Sequence, residues 1–455
     1  MSQTPYKKEI RPGDIKEFII KGSKGNSVDL SGAIAEFYYY ESILANTVTA
    51  TVAFIDTGYE SKGGDNNNVK TSGIIDQLEL VGGEEVTFEV IDNNDSGSED
   101  ERTITSKIGD SDSMYIKEIR NVGTQTTKKF FILDLVSKEY WVNEGARVTK
   151  RYDGNPGSHV SSILRDLLNV DTLEVEQSSY DYSFIGNTKK PLYTCTWLAS
   201  KSSTSETSSD DPKKGTLEGV SAGFFFFQTR DKFHFKSVDT LAQQSVKEGR
   251  NFIYNNTGKK PKNAGSRMVN ILECVTSQQV NIAKDLSLGV YSNKTVFFDP
   301  YSFSYIQPNF SFDDNKKDKV KLLNEKTNNP QKEITEKPSR LMFSVLDVGT
   351  LPQGKTLKDD VKEPSYNTRS PQSMVQSIMR YNELFRTKIN IIVPADFSIR
   401  AGDVVNCTFV NLDTQVSGGS ETLSGKYIVA NICHKVNSEQ TLTSMDIVRD
   451  SLGEV

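Results

Sequence analysis

Pro394-Ala-Asp-Phe-Ser-Ile-Arg-Ala-Gly-Asp-Val-Val-Asn-Cys-Thr-Phe409, Ser424-Gly-Lys-Tyr-Ile-Val-Ala-Asn-Ile-Cys-His-Lys-Val436 and Thr441-Leu-Thr-Ser-Met-Asp-Ile-Val-Arg-Asp-Ser-Leu452 are the segments around which the chain is read. Gly402 and Asp403 precede the apolar pair Val404 and Val405, at a turn position where glycine takes a positive φ without steric cost. Ser424-Gly425 opens the next segment in the same way. Apolar and polar residues alternate through 426–433 and 444–449, the period of antiparallel strands with one buried face. The three segments are expected to be strands closing a barrel.

Working back from there, residues 15–142 read as a second β-rich block. The stretches 16–21, 33–40, 48–55, 84–91, 113–120 and 129–136 are rich in branched and aromatic residues and are punctuated by Gly, Asn and Asp. Strands so closely spaced, with no helix between them, predict a sandwich or barrel. Residues 57–83 form a polar loop with an apolar insert at Gly73–Leu80, and 92–110 form another. Asp92-Asn-Asn-Asp-Ser-Gly97 lacks the glutamate that closes an EF-hand loop, so a solvated loop is expected in place of a calcium site.

Between the two blocks the periodicity changes. Ser158–Leu168 has helical spacing, with a serine N-cap following Pro156-Gly157, and a second helix starts at Pro191. Ala222–Asp239, with four successive phenylalanines, reads as two strands turning at Thr229–Lys232. An aromatic platform for single-stranded nucleic acid needs a positive groove, and few Lys or Arg accompany this run, so a buried hairpin is expected. Met268–Val275 fits helix or strand, Tyr291–Phe312 reads as β, and 316–337 as an exposed loop. A helix over Gln372–Arg386 and a strand over Thr387–Val393 lead into the final block. The expected segments are 1–150, a first β-barrel domain; 151–256, an α+β region; 257–365, an irregular or β insertion; and 366–455, a helix with the second β-barrel domain.

At 455 residues and 50.8 kDa the chain has room for two or three domains with cores of their own. A net charge of -6 argues against a general binder of nucleic acid or anionic membranes. Met1–Ile10 lacks the apolar centre of a signal peptide, and no run approaches the roughly 20 apolar residues of a membrane span. Cys195, Cys274, Cys407 and Cys433 are scattered and read as small hydrophobes in a reducing cytosol. His159, His234 and His434 lie far apart and read as structural. No Gly-x-Ser-x-Gly elbow, His-Glu-x-x-His helix or phosphate loop occurs, so no catalytic, cofactor-binding or metal-ligating residue is assigned. The abundance of Asp and Glu leaves a glycosidase pair open.

The order Ala401-Gly402-Asp403, long polar loop, Leu423-Ser-Gly-Lys-Tyr427 strand, His434 and a terminal Arg449-Asp450-Ser451 resembles the last barrel of baseplate hub proteins from contractile-tailed, T-even-like bacteriophages and their cyanophage-like relatives. Tyr40-Glu-Ser-Ile-Leu44 with Thr49–Asp56 is similar to that family's early hairpin, and Trp197-Leu-Ala-Ser200 before the Phe-rich hairpin is similar to its middle region. The resemblance implies a mainly β fold with α+β insertions: two tail-tube-like antiparallel β-barrel domains and a smaller α/β region. It implies a non-enzymatic virion component of the tail baseplate, a homotrimer whose six barrels make a pseudo-six-fold ring. Its implied partners are the tail tube protein, the central spike protein and other baseplate proteins, with DNA passing through the channel without specific binding. Part of the acidic excess is expected to line that channel. The alternatives are the hub of a related contractile injection system, such as a type VI spike protein, or a tail-associated cell-wall hydrolase or carbohydrate-binding protein. No β-helical needle of short repeats ends the chain, so the spike is expected to be a separate polypeptide.

Overall fold

The computed structural model describes residues 10–61, 70–93, 98–125, 128–179, 181–204, 221–246, 249–254, 268–278, 281–300, 302–307, 309–311, 320–324, 337–347, 349–351, 353–354, 356, 358, 370–409 and 423–451. The first block holds strands β1 (Gly13–Lys21), β2 (Ser27–Asp29), β3 (Ile34–Ser42) and β4 (Thr49–Asp56), then helix α1 (Ile74–Leu78). Strands β5 (Glu85–Asp92), β6 (Thr103–Thr105), β7 (Met114–Thr124) and β8 (Lys129–Ser137) follow. β4 and β5 each alternate partly and fully buried residues along their whole length, as strands with one covered face must. Val52, Phe54, Val86 and Phe88 thereby meet Phe18 and Phe37 in one core. The apolar insert at 73–80, read as part of a loop, is α1: Ile74 and Leu78 are buried, and the Ile74 N–H donates to the Asp56 carboxylate at 2.9 Å. The last strand of the block falls where it was expected, but the end of the stretch read as mostly β, up to 142, is helical. β8 stops at Ser137, and the acidic residue in the first turn of helix α2 (Lys138–Gly145) suits the positive end of its dipole.

The middle region packs helices α3 (Pro156–Leu168) and α4 (Pro191–Ala199) on a small sheet of β9 (Leu173–Val175), β10 (Phe224–Gln228) and β11 (Phe233–Ser237), with α5 (Val238–Ala242) after it. Val160, Leu164 and Leu198 meet Phe224, Phe226, Phe233 and Phe235 there. The Phe-rich run is the expected buried hairpin, its turn closed by the Thr229 N–H donating to Lys232 O at 3.0 Å. The cap of α3 is Asn155 and not a serine after Gly157. Its side chain accepts from the Gly157 N–H at 3.0 Å, and Pro156, which has no N–H to satisfy, fills the first turn.

The remainder supplies β12 (Asn251–Tyr254), β13 (Met268–Asn270), β14 (Glu273–Gln278), α6 (Ile282–Leu288), β15 (Ser292–Asp299), β16 (Ser304–Ile306), β17 (Asn309–Ser311) and β18 (Arg340–Val345). Helix α7 (Ser370–Leu384) then leads into β19 (Thr387–Pro394), β20 (Val404–Phe409), β21 (Gly425–Asn437) and β22 (Thr441–Arg449). The ambiguous 268–275 stretch is thus strand, and β15 to β18 form a separate four-stranded sheet whose Phe297 packs on Val375 and Met379 of α7. Most of the loop read at 316–337 lies outside the described residues.

The protein is mainly β, but its strand pairing departs from two separate antiparallel barrels. Fifteen strands join in one branched sheet. β21 is the reason: its 13 residues are long enough to pair with β20 along Gly425–Ile428 and then, farther on, with β3 along Asn431–Asn437, while β22 takes the other edge. The first block is therefore continuous with the last. β12 also pairs in parallel with both β13 and β20, which its remoteness in sequence from β20 permits, since parallel neighbours need a long crossover.

Gly402 has φ +86°, and a Cβ there would lie 2.9 Å from the Phe227 ring; Gly25 has φ +83° and open space around it. Gly402→Ala is expected to cost roughly 1–3 kcal/mol more than Gly25→Ala in urea unfolding, because only the first adds crowding to the shared backbone strain. Equal losses would show that the hairpin yields to the methyl group.

Candidate functional site

Three parts of the chain converge at the end of β3. Phe37, Tyr39 and Glu41 occupy its inward positions, so strand alternation carries a carboxylate into the interior, where Glu41 is 3% exposed. One Glu41 oxygen accepts from the Arg230 N–H at 2.8 Å, in the turn between β10 and β11. The other accepts from the Ala401 N–H at 3.1 Å, in the Ala-Gly-Asp turn before β20. Burial raises the Glu41 pKa, opposed by the nearby Arg400 and Arg230 guanidinium groups and these two backbone bonds. Arg400 pairs with Asp231 at 2.9 Å, and the Arg230 guanidinium donates to Thr103 O at 2.6 Å. Gln228 extends the junction: its side-chain oxygen accepts from Val48 N–H and Ser137 Oγ, and its amide donates to Glu139 at 2.9 Å.

Beside this knot lies a cleft of about 310 Å³ between the hairpin and the 400–403 turn, lined by Phe227, Lys236 and Gly402 among others. Its acids are already engaged by bases. Glu174 sits 2.8 Å from Lys232 and 2.6 Å from Lys236, Asp231 is paired with Arg400, and Asp403 with Arg250. Such pairing holds elements in register.

A second knot is centred on Arg380 of α7, whose side chain is fully buried. It reaches Asp239 at 2.8 Å, Asp450 at 3.4 Å and Glu383 at 3.7 Å. Burial pushes Glu383 up to about 7, against the pull of Arg380. Asp450 also accepts from Leu323 N–H, and Arg449 lies over the Tyr427 ring at 4.6 Å while donating to Leu423 O and Ser424 O. The motifs singled out in the sequence, Glu41-Ser42, Ala401-Gly402-Asp403 and Arg449-Asp450-Ser451, thus fall at these two knots.

The histidines are built into the packing. His159 Nε2 donates to Tyr182 O at 2.9 Å, and His434 Nδ1 lies 2.9 Å from Thr443 Oγ1 with its ring edge-on to Phe397. Cys195 and Cys407 are buried, Cys274 and Cys433 partly so, and all four are free. Among the described residues no group of three or more His, Cys, Asp or Glu is placed to hold a metal ion, and no helix is long and apolar enough to cross a membrane. Sequence reasoning assigned no site residue and missed Glu41 as an anchor. The available signal was a carboxylate in phase with the inward Phe37 and Tyr39.

Neither a protein-family model nor a curated protein sequence matches the chain. Solved structures do. A tail protein from Neisseria meningitidis MC58 is similar with TM-score 0.51 and 7% identity, over 96% of this chain and 97% of that one. A 43 kDa tail protein of prophage MuSo2 from Shewanella oneidensis aligns over 97% of this chain and 100% of its own, with TM-score 0.48 and 10% identity. An E. coli component of the type VI secretion system, described as structurally similar to T4 bacteriophage tail proteins, aligns over 92% of this chain and 73% of its own, with TM-score 0.41 and 7% identity. The likeness at TM-score 0.51 shows a fold shared with that Neisseria tail protein.

Glu41→Ala strands two buried N–H groups and leaves two guanidinium groups short of a counter-charge, so it is expected to cost about 3–5 kcal/mol in denaturant unfolding, with Glu41→Gln losing less. A loss under about 1 kcal/mol for the alanine variant would remove Glu41 as an anchor. His434 offers a pH readout. Burial, reinforced by Arg400 and Arg230, depresses its pKa well below 6.5. Protons therefore go preferentially to the unfolded chain, and the contribution of the neutral ring is full above pH 6.5 and lost as pH falls below it. Wild type should lose more stability than His434→Gln as pH falls from 6.5 to 5, with a ceiling of about 1.4 kcal/mol per pH unit at one proton per site. Parallel stability curves for the two proteins would refute this.

Proposed function

We propose that the chain is the central hub subunit of a contractile-tail baseplate. In this reading three copies form a closed ring in which two β-rich blocks per chain present a quasi-six-fold face to the tail tube and a three-fold face to the spike. DNA passes through the middle, and the acidic excess of the chain contributes to a lining that does not hold it. The four-part division at 1–150, 151–256, 257–365 and 366–455 belongs to the same proposal.

The observation that carries the reading is the β3–β21 seam. It joins two β-rich blocks, one from each end of the chain, edge to edge, as a subunit must if it is to set two similar units side by side around a ring. The likeness to a tail protein over 96% of the chain supports the setting. The two knots support the absence of turnover, because their charges are committed to one another and to backbone N–H groups.

Light scattering tests it on the purified protein alone and mixed with the spike and tube proteins of the same genome. A particle containing three copies of the 50.8 kDa chain is expected. Monomer in every mixture would end the hub reading, and clearing of a peptidoglycan suspension by the purified chain would replace it with a hydrolase.

A further inference from the structure

The separate sheet formed by β15 to β18 has two unlike faces. On one, Phe297 meets Val375 and Met379 of α7 in a small core. On the other, register places Leu341 beside Lys294, Phe343 beside Val296 and Val345 beside Phe298, and on the far side of β15 it places Tyr305 beside Phe298. The Phe298 ring lies 5.5 Å from Tyr305 and 6.2 Å from Phe303, so the surface is continuous across three strands. Phe303, Tyr305, Leu341, Phe343 and Val345 are 80, 67, 58, 74 and 63% exposed.

Those exposures matter because of the area they represent. Large side chains bury up to about 150–250 Å² each, so the five together present roughly 600 Å² of surface. That is at the top of what a monomer ordinarily leaves uncovered and close to the roughly 800 Å² per partner of a standard protein interface. Leu341, Phe343 and Val345, the residues that β18 gives to this face, are all apolar, the composition of an interface between permanently associated subunits, whose centres resemble a core cut in half. β18 also has β15 on one edge and no strand on the other among the described residues, an arrangement prone to pairing with a further chain. A face that must be covered as soon as the chain folds is best matched by the partner always present at equal concentration.

We propose that this outer face binds a second copy of the same chain. The proposal rests on the self-association in the hub reading and assigns a surface to it.

The test is the mass of the full-length protein by light scattering, alone and with the spike and tube proteins, for wild type, Leu341→Asp/Phe343→Asp and Phe303→Ser/Tyr305→Ser. Val122→Asp, at another exposed apolar position, is the control, and thermal unfolding of each protein reports its fold. The aspartate pair is expected to weaken association by roughly 100-fold or more, and the serine pair, which adds no charge, by about tenfold, while the control is unchanged. One pair lies on β18 and the other where the chain turns into β16, so misfolding of one leaves the other decisive. A wild-type multimer that persists in a natively folded face variant overturns this inference and leaves the hub reading standing. A wild-type dimer lost in the variants upholds the contact and ends the three-fold ring. Wild-type monomer in all mixtures overturns both.

Discussion

A single buried carboxylate constrains how the parts of this protein fit together. Moving an ion such as Glu41 out of water costs several kcal/mol unless donors and opposite charge surround it. Here the donors are backbone N–H groups of two turns lying 189 and 360 residues away in sequence, with two guanidinium groups behind them. Neither turn alone satisfies the charge. The hairpin turn and the Ala-Gly-Asp turn must both be docked before β3 is comfortable, so the junction forms as a unit. Contacts this distant in sequence are entropically expensive to bring together.

Arg380 plays the complementary part. It is a buried cation, and three carboxylates from different places approach it: Asp239 at the start of α5, Asp450 after β22 and Glu383 one helical turn along α7. The helix that opens the final block is thereby fastened to the middle region and to the last described residues of the chain at once. Phe225, Phe227, Leu241, Val404, Ile428 and Val448 meet in an apolar junction drawn from the same middle and final parts of the chain. Apolar packing supplies the larger area of contact. The ionic groups supply direction, because only one arrangement of the turns pairs them.

Much of this was legible before the structure. Alternation located the half-buried strands, since a period of two leaves its mark in composition, and the 3.6-residue spacing located α3 and α7. Gly402 was recognised from its place before Val404-Val405. What escaped has physical reasons. α1 is one turn and a half, too short for helical spacing to stand out from a loop. The cap of α3 went to Asn155 because Pro156 starts the helix, a local choice hidden by the serine-rich sequence that follows. The union of the blocks in one sheet could not be read at all, since nothing in the sequence of β21 says which strand takes each part of its edge. Glu41 was seen only as part of a motif order; its meaning depends on two turns far away.

The shared edge of β21 has a mechanical consequence. From Ser42 opposite Asn431 to Glu36 opposite Asn437, seven residue pairs bind the two blocks along antiparallel strands. A load directed along those strands stresses all seven rungs together in shear, whereas a load across them opens the seam from one end, a rung at a time. At the β20 end of the same strand, β21 is held by another partner and cannot slide without breaking that ladder too. The strand is a tie rod between the blocks, stiff against axial pull and weakest against peeling.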